Sequence, residues 1–243
     1  MQPSHRIGLL HHDQVLLQTS IMTLQTNNKR ALRKAVTATL NDLSLADVQA
    51  QSEAIASKIL ALPAFQSCKA ISCYLSMPTA EVQTTAVIMS ILADSGKRLS
   101  VPSIAAKDGY MDFVRLHDVN DLQSMPLGLW GIPQPTLEWQ NEKRQSILDS
   151  SCDNLDVILM PGVAFDRSLS RLGHGKGYYD RFLSSYITEG SRPRPLLVAL
   201  ALRQQFLDAG RVPVTERDWS VDIVVTPDEV ITNSDTPTNP GEK

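Results

Sequence analysis

The sequence predicts an α/β protein: a single three-layer α/β/α sandwich with an open, mostly parallel sheet. Residues 155–160 have the sequence Leu-Asp-Val-Ile-Leu-Met, and such a nearly apolar run is typical of a strand that helices cover on both faces. Short runs of this kind alternate along the chain with segments of helical periodicity. This alternation favours one sheet with helices on both sides.

The first two elements are predicted to be helices. Leu32, Val36 and Leu40 recur at every fourth position, which indicates a helix with one apolar face. A second helix is predicted from Ser44, where Ser-Leu-Ala-Asp resembles a capping box, to Leu62 just before a proline. Two further helices are predicted through residues 87–92 and 179–183.

The remaining elements are strands. They are predicted over residues 70–75, 99–102, 111–116, 155–160, 196–202 and 221–226. Residues 117–145 contain several prolines and glycines, and we predict a long surface excursion there. The length of 243 residues falls between one and two domains of about 150 residues each. We expect a disordered extension over 1–28, one domain over 29–227 and a disordered polar tail over 228–243.

Composition excludes several classes of protein. The net charge of −3 argues against a generally basic protein that binds nucleic acid or a membrane surface. No apolar run approaches the roughly 18 residues needed to cross a bilayer. The three cysteines, Cys68, Cys73 and Cys152, form no CxxC pair, so we expect reduced thiols rather than a zinc site.

Two segments depart from ordinary local patterns, and the first is the start of the first helix. Lys29, Arg30, Arg33 and Lys34 crowd its first turns, and no acidic residue follows until Asp42. Cations at a helix N-terminus oppose the helix dipole. Either this end of the helix faces an anion, or the segment is a solvated basic face.

The second unusual segment is the glycine-rich stretch over 161–182. Four of the 12 glycines lie here, and those at 173, 175 and 177 alternate with other residues. Such spacing lets backbone N–H groups approach a phosphate closely, and the stretch follows a buried strand, where open α/β sheets bind ligands. The spacing fits neither a Walker A loop nor GxGxxG. Lys176 adds a positive charge and Asp180 could hold a divalent cation, so phosphate binding is predicted.

The same stretch resembles the signature of a known family. Arg-Leu-Gly-His-Gly-Lys-Gly-Tyr-Tyr-Asp at 171–180, preceded by Pro-Gly-Val-Ala-Phe-Asp at 161–166, resembles the 5-formyltetrahydrofolate cyclo-ligases, also called 5,10-methenyltetrahydrofolate synthetases. Further matches follow in order over roughly residues 28–227. They lie at residues 29–33, 74–77 leading to Glu81, 111–113, 130–135 and 221–222.

The resemblance implies an ATP- and Mg²⁺-dependent closure of 5-formyltetrahydrofolate to 5,10-methenyltetrahydrofolate, with release of ADP and phosphate. A formamide oxygen is a poor leaving group, so ATP phosphorylates it before N10 attacks the carbon. The implied partner is the folate, with polyglutamylated forms left open, and we expect a monomer or weak homo-oligomer. No nucleic-acid or membrane partner is expected. A cytoplasmic location is expected, with a mitochondrial one left open by the N-terminal segment.

The family's functional positions carry over residue by residue. The implied catalytic residues are Lys176, Arg171 and Tyr179. The implied ATP contacts are Lys29, Arg30, Arg33, Arg171, Leu172, Gly173, His174, Gly175, Lys176, Gly177, Tyr178 and Tyr179. The implied folate contacts are Arg33, Leu75, Glu81, Trp130, His174 and Tyr179. The implied Mg²⁺ ligands are Asp180 and Asp218, with Asp166 and Asp222 in reserve.

Two departures from the family pattern bear on these assignments. His174 stands where the family usually has Arg, so a fixed charge becomes a titratable one. Ala80 is an additional residue before Glu81 and leaves the placement of that glutamate open. The alternatives are a sugar-phosphate isomerase or acyl-transfer enzyme on a similar sandwich, or a folate- or nucleotide-binding module that has lost activity.

Overall fold

The computed structural model describes residues 25–104, 110–128, 131–149 and 151–233. The helices are α1 (25–41), α2 (Leu45–Ala61), α3 (Pro63–Ser67), α4 (Thr85–Ala93), α5 (Val119–Ser124) and α6 (Tyr178–Leu183). A π-helix over Ser184–Glu189 continues α6, and a 3₁₀ turn covers Arg203–Gln205. Ser44 caps α2 as predicted, its hydroxyl accepting a hydrogen bond from the Asp47 N–H.

The strands form one large sheet and two small ones. They are β1 (Ala70–Cys73), β2 (Arg98–Ile104), β3 (Met111–Leu116), β4 (Glu138–Trp139), β5 (Glu142–Lys143), β6 (Val157–Met160), β7 (Ala164–Asp166), β8 (Arg171–Leu172), β9 (Leu196–Leu200), β10 (Phe206–Leu207), β11 (Ile223–Val225) and β12 (Val230–Thr232). The large sheet has the order β12-β11-β9-β6-β1-β2-β3. Its five inner strands are parallel, and β3 and β12 pair antiparallel at the two edges. The predicted open, mostly parallel sheet is confirmed.

Side chains alternate across the central strands and join two separate cores. On β6, Val157 and Leu159 pack into the core beneath α1, α2 and α4, whereas Ile158 and Met160 pack into the core beneath α6. All four side chains are buried, which explains why this strand has no polar alternation. Helices therefore cover both faces of the sheet, as the sandwich requires.

Both expected boundaries of the folded domain lie too far inward. Residues 25–28 already belong to helix α1. At the other end, Val230–Thr232 form edge strand β12 instead of a disordered tail, because the Ile231 side chain is buried against the second core. The rest of the two predicted terminal segments, 1–24 and 234–243, lies outside the described residues. Within the described ranges, no helix is long and apolar enough to span a membrane.

The predicted excursion over 117–145 has secondary structure of its own. It contains helix α5 and the hairpin β4–β5, and its Arg144 and Asp121 side chains are buried together. A further small sheet, β10-β7-β8, follows β6 and supports the glycine-rich stretch. Strands this short, two or three residues each, leave no periodic signal in a sequence.

Candidate active site

The main cavity lies at the carboxyl edge of the parallel strands and has a volume of about 630 Å³. Residues that follow β1 and β6 line it, among them Leu75, Gly162 and Val163. This is the edge at which open α/β sheets bind ligands, and the volume suits a small organic molecule. The predicted position of the site at this edge agrees with the cavity.

The cavity has two chemically different sides. One wall is apolar and is formed by Leu75, Pro102, Ile104, Met111, Ile132 and Val163. A second group of lining residues, called the anion-binding side below, is charged or polar and comes from the glycine-rich stretch and the loop after β1: Glu81, Arg171, His174, Lys176 and Asp180. Such a cavity can hold a molecule with a flat apolar part beside an anionic part.

The glycine-rich stretch adopts backbone conformations that require glycine. Gly175 and Gly177 have φ angles of +93° and +65°, in the region that L-residues with a Cβ rarely adopt. Gly175 also passes close to α1, where an added Cβ would lie 3.4 Å from Cζ of Arg33. Arg33 Nε donates to the Gly173 carbonyl at 2.8 Å. The glycine-rich stretch therefore packs against the basic N-terminal turns of α1.

Two ion pairs lie beside the turn over 215–219. One joins α1 to the turn, and the other lies within the glycine-rich stretch. Lys29 Nζ lies 2.5 Å from Oδ2 of Asp218, and Arg171 Nη2 lies 2.9 Å from Oδ2 of Asp180. The turn joins the two pairs, because the Trp219 backbone N–H donates to Asp180 Oδ1 at 3.1 Å. Burial alone would raise the pKa of Asp218, but hydrogen bonds from Lys29 and Thr215 outweigh it and hold that pKa below its ordinary value.

Two buried donors in the cavity have no hydrogen-bond partner among the described residues: Arg171 Nε and the Tyr179 hydroxyl. Burial raises the pKa of Tyr179 well above its ordinary value, and Cys73 and Glu81 raise it further. The hydroxyl therefore stays protonated and can donate but cannot act as a base. Unpaired buried polar atoms are costly, so a ligand acceptor that reached these two donors would remove that cost.

Glu81 lies in the cavity despite the additional residue before it. Ala80, the predicted additional residue, takes a left-handed conformation with a φ of +60°. Glu81 is buried, and its Oε2 accepts the Met77 N–H at 2.9 Å. Its other oxygen lies 3.9 Å from Nε2 of His174. His174, a predicted departure from the family pattern, thus faces this carboxylate.

Most of the predicted site residues come together. Those that line the cavity are Leu75, Glu81, Arg171, Gly173, His174, Lys176, Gly177, Tyr178, Tyr179 and Asp180. Lys29, Arg33, Gly175 and Asp218 do not line it but adjoin it through the contacts above. Trp130 lies outside the described residues.

Two predicted ATP contacts are not brought to the site. Arg30 is exposed, because Lys29 and Arg33 are four residues apart and share a helix face that Arg30 does not. The Leu172 side chain is buried in the first core and is not among the residues that line the cavity.

The two reserve carboxylates are also outside the cavity lining. Asp166 is fully buried and accepts three backbone N–H groups, from Ser168, Ser170 and Val212, so it shapes the surrounding loops. Asp222 pairs with Arg194 at 2.8 Å. Within the described ranges, no group of three His, Cys, Asp or Glu side chains could hold a metal by itself.

Several lining residues were not predicted. Thr37 and Asn41 follow Arg33 at four-residue intervals, a helical spacing that could have found them. Gln205 is buried and donates to the Gly162 carbonyl at 2.6 Å, and its own Oε1 accepts the Leu202 N–H at 2.9 Å. No sequence pattern indicated Gln205, because it follows β9, and β9 becomes a neighbour of β6 only in the folded sheet.

Comparison with known proteins gives a consistent result. The model of the 5-formyltetrahydrofolate cyclo-ligase family matches residues 25–227. A probable 5-formyltetrahydrofolate cyclo-ligase of Caenorhabditis elegans is 37% identical over 203 residues, covering 84% of this chain and 94% of the relative. One of Schizosaccharomyces pombe is 33% identical over 216 residues, covering 87% and 100%. The structure of Aquifex aeolicus 5,10-methenyltetrahydrofolate synthetase superposes with a TM-score of 0.65 at 29% identity, covering 88% of this chain and 96% of that one.

Proposed function

Because this chain belongs to the 5-formyltetrahydrofolate cyclo-ligase family, we propose that it closes 5-formyltetrahydrofolate to 5,10-methenyltetrahydrofolate with ATP and Mg²⁺, releasing ADP and phosphate. One observation carries the proposal beyond the family name. The buried Arg171 Nε and Tyr179 hydroxyl are unpartnered donors in one cavity that has both an anion-binding side and an apolar wall. A reaction that joins a phosphate donor to a flat heterocycle needs both sides.

The anion-binding side suits the polyphosphate of ATP. Lys176 is exposed at the cavity, in a stretch whose glycines leave backbone N–H groups accessible. Lys29 and Arg33 approach the same stretch from α1, which explains cations at the unfavourable end of that helix. Bound ATP would supply the phosphoryl group that turns the formyl oxygen into a leaving group. These cations neutralise the charge that develops during its transfer.

Asp180 and Asp218 can bind Mg²⁺ only if phosphate oxygens of the nucleotide supply further ligands. Each carboxylate is already neutralised, by Arg171 and Lys29 respectively. Mg²⁺ is usually held by one or two carboxylates together with substrate phosphates, so two acids suffice for it. We infer that Arg171 and Lys29 exchange their carboxylates for phosphate oxygens when nucleotide binds, which frees Asp180 and Asp218 for the metal.

The apolar wall and its polar neighbours suit the folate. Leu75 offers an apolar side chain and Tyr179 a flat ring, and Glu81 can accept hydrogen bonds from ring N–H groups. The Tyr179 hydroxyl, protonated at neutral pH, can donate to a folate oxygen. Trp130 and Arg33 remain predicted folate contacts.

The absorbance of the methenyl product in the near ultraviolet tests the proposal. Purified protein given 5-formyltetrahydrofolate, ATP and Mg²⁺ should generate that absorbance, and omission of ATP or addition of a chelator should abolish it. Absence of turnover by well-folded protein would overturn the proposal. Folate binding without turnover would instead support the inactive-module alternative, which a gain of activity in His174→Arg would strengthen.

The Lys176→Ala variant identifies the anion-binding side. Lys176 is exposed and its side chain has no hydrogen bond or ion pair with the described residues, so its removal should leave the unfolding midpoint unchanged. We expect kcat/KM to fall by about 10²-fold or more, as for loss of one charge-stabilising donor. Unchanged kinetics would remove Lys176 from the site.

A further inference from the structure

One wall of the cavity comes from a hairpin with one exposed arm. Ile132, Pro133 and Gln134 line the cavity and pair with the arm over 126–128. The Gly128 N–H donates to the Ile132 carbonyl at 2.8 Å, and the Gln134 N–H donates to the Pro126 carbonyl at 2.9 Å. The side chain opposite, Leu127, is exposed. Ile132 packs against the first core, and the placement of the hairpin also depends on the chain segments before and after it.

The buried Arg144 guanidinium contacts the chain on both sides of that hairpin. On α5, before the hairpin, it pairs with both oxygens of Asp121, through Nη2 and, at 2.7 Å, through Nη1. After the hairpin, its Nε donates to the Thr136 carbonyl at 2.9 Å. Its Nη1 also donates to the Arg115 carbonyl on β3 at 2.9 Å, which anchors both contacts to the large sheet.

We propose that Arg144 is a positioning residue that holds the Ile132–Gln134 wall at the correct distance for the folate. The inference rests on the proposed function for the identity of the ligand. Arg144 itself does not line the cavity, so it acts through the two chain segments that it joins. The anion-binding side is built on α1, β8 and α6, none of which contacts the Arg144 guanidinium through the hydrogen bonds above. The effect on ligand binding is therefore selective for the folate.

A purely stabilising role would not require this geometry. Buried ion pairs are often no more stabilising than apolar residues of the same volume, because both charges lose their hydration. The planar fork of an arginine can satisfy three acceptors in fixed directions, whereas a lysine presents a point charge on a flexible stem. What Arg144 provides beyond charge is the fixed relative position of α5, β3 and Thr136.

The Arg144→Lys variant keeps the charge beside Asp121 and removes the fork. Calorimetry would measure the Kd of 5-formyltetrahydrofolate and, separately, of AMP-PNP with Mg²⁺. We expect folate binding to weaken about tenfold, as for a displaced binding wall, and AMP-PNP binding to change less than about twofold. Amide hydrogen exchange should become faster in the hairpin arms and stay unchanged in the glycine-rich stretch.

The matched control is Arg167→Lys, which alters an exposed arginine paired with Glu229 and should change neither Kd. Equal weakening of both ligands, or no change in either, would overturn the proposal. If Arg144→Lys does not fold, the double variant Asp121→Asn/Arg144→Gln removes both charges together, and the same selectivity is expected. Failure of both variants to fold would show that Arg144 maintains the fold and would also overturn it.

The proposal and the proposed function fail in different ways. If the wild-type protein does not bind 5-formyltetrahydrofolate, the proposed function fails. If the wild-type protein binds it and Arg144→Lys binds it equally well with unchanged exchange in the hairpin, only the positioning role fails.

Discussion

Two arginine–aspartate pairs in this protein have the same chemistry and opposite surroundings. In the Arg144–Asp121 pair, the side chains are 1% and 0% exposed, and the arginine reaches two backbone carbonyls as well as the carboxylate. In the Arg171–Asp180 pair, the aspartate side chain is 22% exposed at the cavity, and Arg171 Nε has no partner among the described residues. The first pair is complete, and the second has unused bonding capacity.

The difference indicates what each pair can do. A buried ion pair with every group satisfied is costly to break, so it fixes the positions of the segments that it joins. A pair that borders a cavity and keeps a free donor can exchange partners when an anion arrives. We therefore propose that Arg144 fixes the positions of neighbouring segments and that Arg171 binds a ligand.

The largest expected effect is on activity in Arg171→Met. Loss of a charge-stabilising donor should lower kcat/KM by about 10²–10³-fold. Asp180 keeps access to water at the cavity and the Trp219 N–H, so its stability cost should be modest. Steady-state kinetics and urea denaturation measure the two quantities. A fall of less than tenfold in kcat/KM would contradict the assignment of Arg171.

Arg144→Met should affect stability more than activity, in contrast to Arg171→Met. It leaves the Asp121 carboxylate buried without a cation, which should cost about 3–5 kcal/mol in the free energy of unfolding. Adding Asp121→Asn should recover much of that loss, because the uncompensated charge is gone. Urea denaturation of both variants is the measurement. If Arg144→Met lost no more stability than Arg171→Met, the contrast between the two pairs would be wrong.

A smaller effect is expected from Tyr179→Phe, with Tyr186→Phe as its control. The Tyr179 hydroxyl has no partner among the described residues, so Tyr179→Phe should keep the stability of the wild type. The KM for the folate should rise about five- to tenfold, because one hydrogen bond to the substrate is lost. The Tyr186 hydroxyl accepts the Leu155 N–H at 2.7 Å, so its removal should lower stability by about 1 kcal/mol and leave KM unchanged. The opposite pattern in the two variants would show that Tyr179 contacts no substrate.

The smallest expected effect is on the pH dependence of folding stability, to which the Lys29–Asp218 ion pair contributes. The pKa of Asp218 is held below its ordinary value of about 3.9, so the folded state favours the carboxylate. Its contribution to stability is therefore present above that ordinary value and is lost as the pH falls through the lowered pKa. Lys29→Met should lose less stability than wild type between pH 7 and about pH 3 in thermal unfolding. Identical pH dependence would show that Lys29 does not set this pKa.

The sequence was sufficient to predict the sheet and the centre of the site. Residues 155–160 are apolar because both faces of β6 are covered, and this pattern is local. The glycine-rich stretch was recognisable because positive φ angles and close approach restrict residue type at Gly175 and Gly177. Both features could be predicted because each depends on residues that are consecutive in the sequence.

Features that depend on distant residues could not be predicted. Arg144 and Asp121 are 23 residues apart in a segment rich in Pro and Gly, and nothing local indicates that both are buried. Strand β12 depends on pairing with β11 and on the burial of one side chain, Ile231. The exposure of Arg30, in contrast, could have been predicted. Lys29 and Arg33 are four residues apart and share one helix face, and Arg30 lies off that face.

We propose that the formyl oxygen leaves with the phosphoryl group from ATP, in a cavity that holds both ligands. The most direct measurement uses 5-formyltetrahydrofolate labelled with ¹⁸O in the formyl group and mass spectrometry of the released phosphate. We expect one ¹⁸O atom in each phosphate, formed only when ATP and Mg²⁺ are both present. Unlabelled phosphate, with the ¹⁸O released as water, would contradict it.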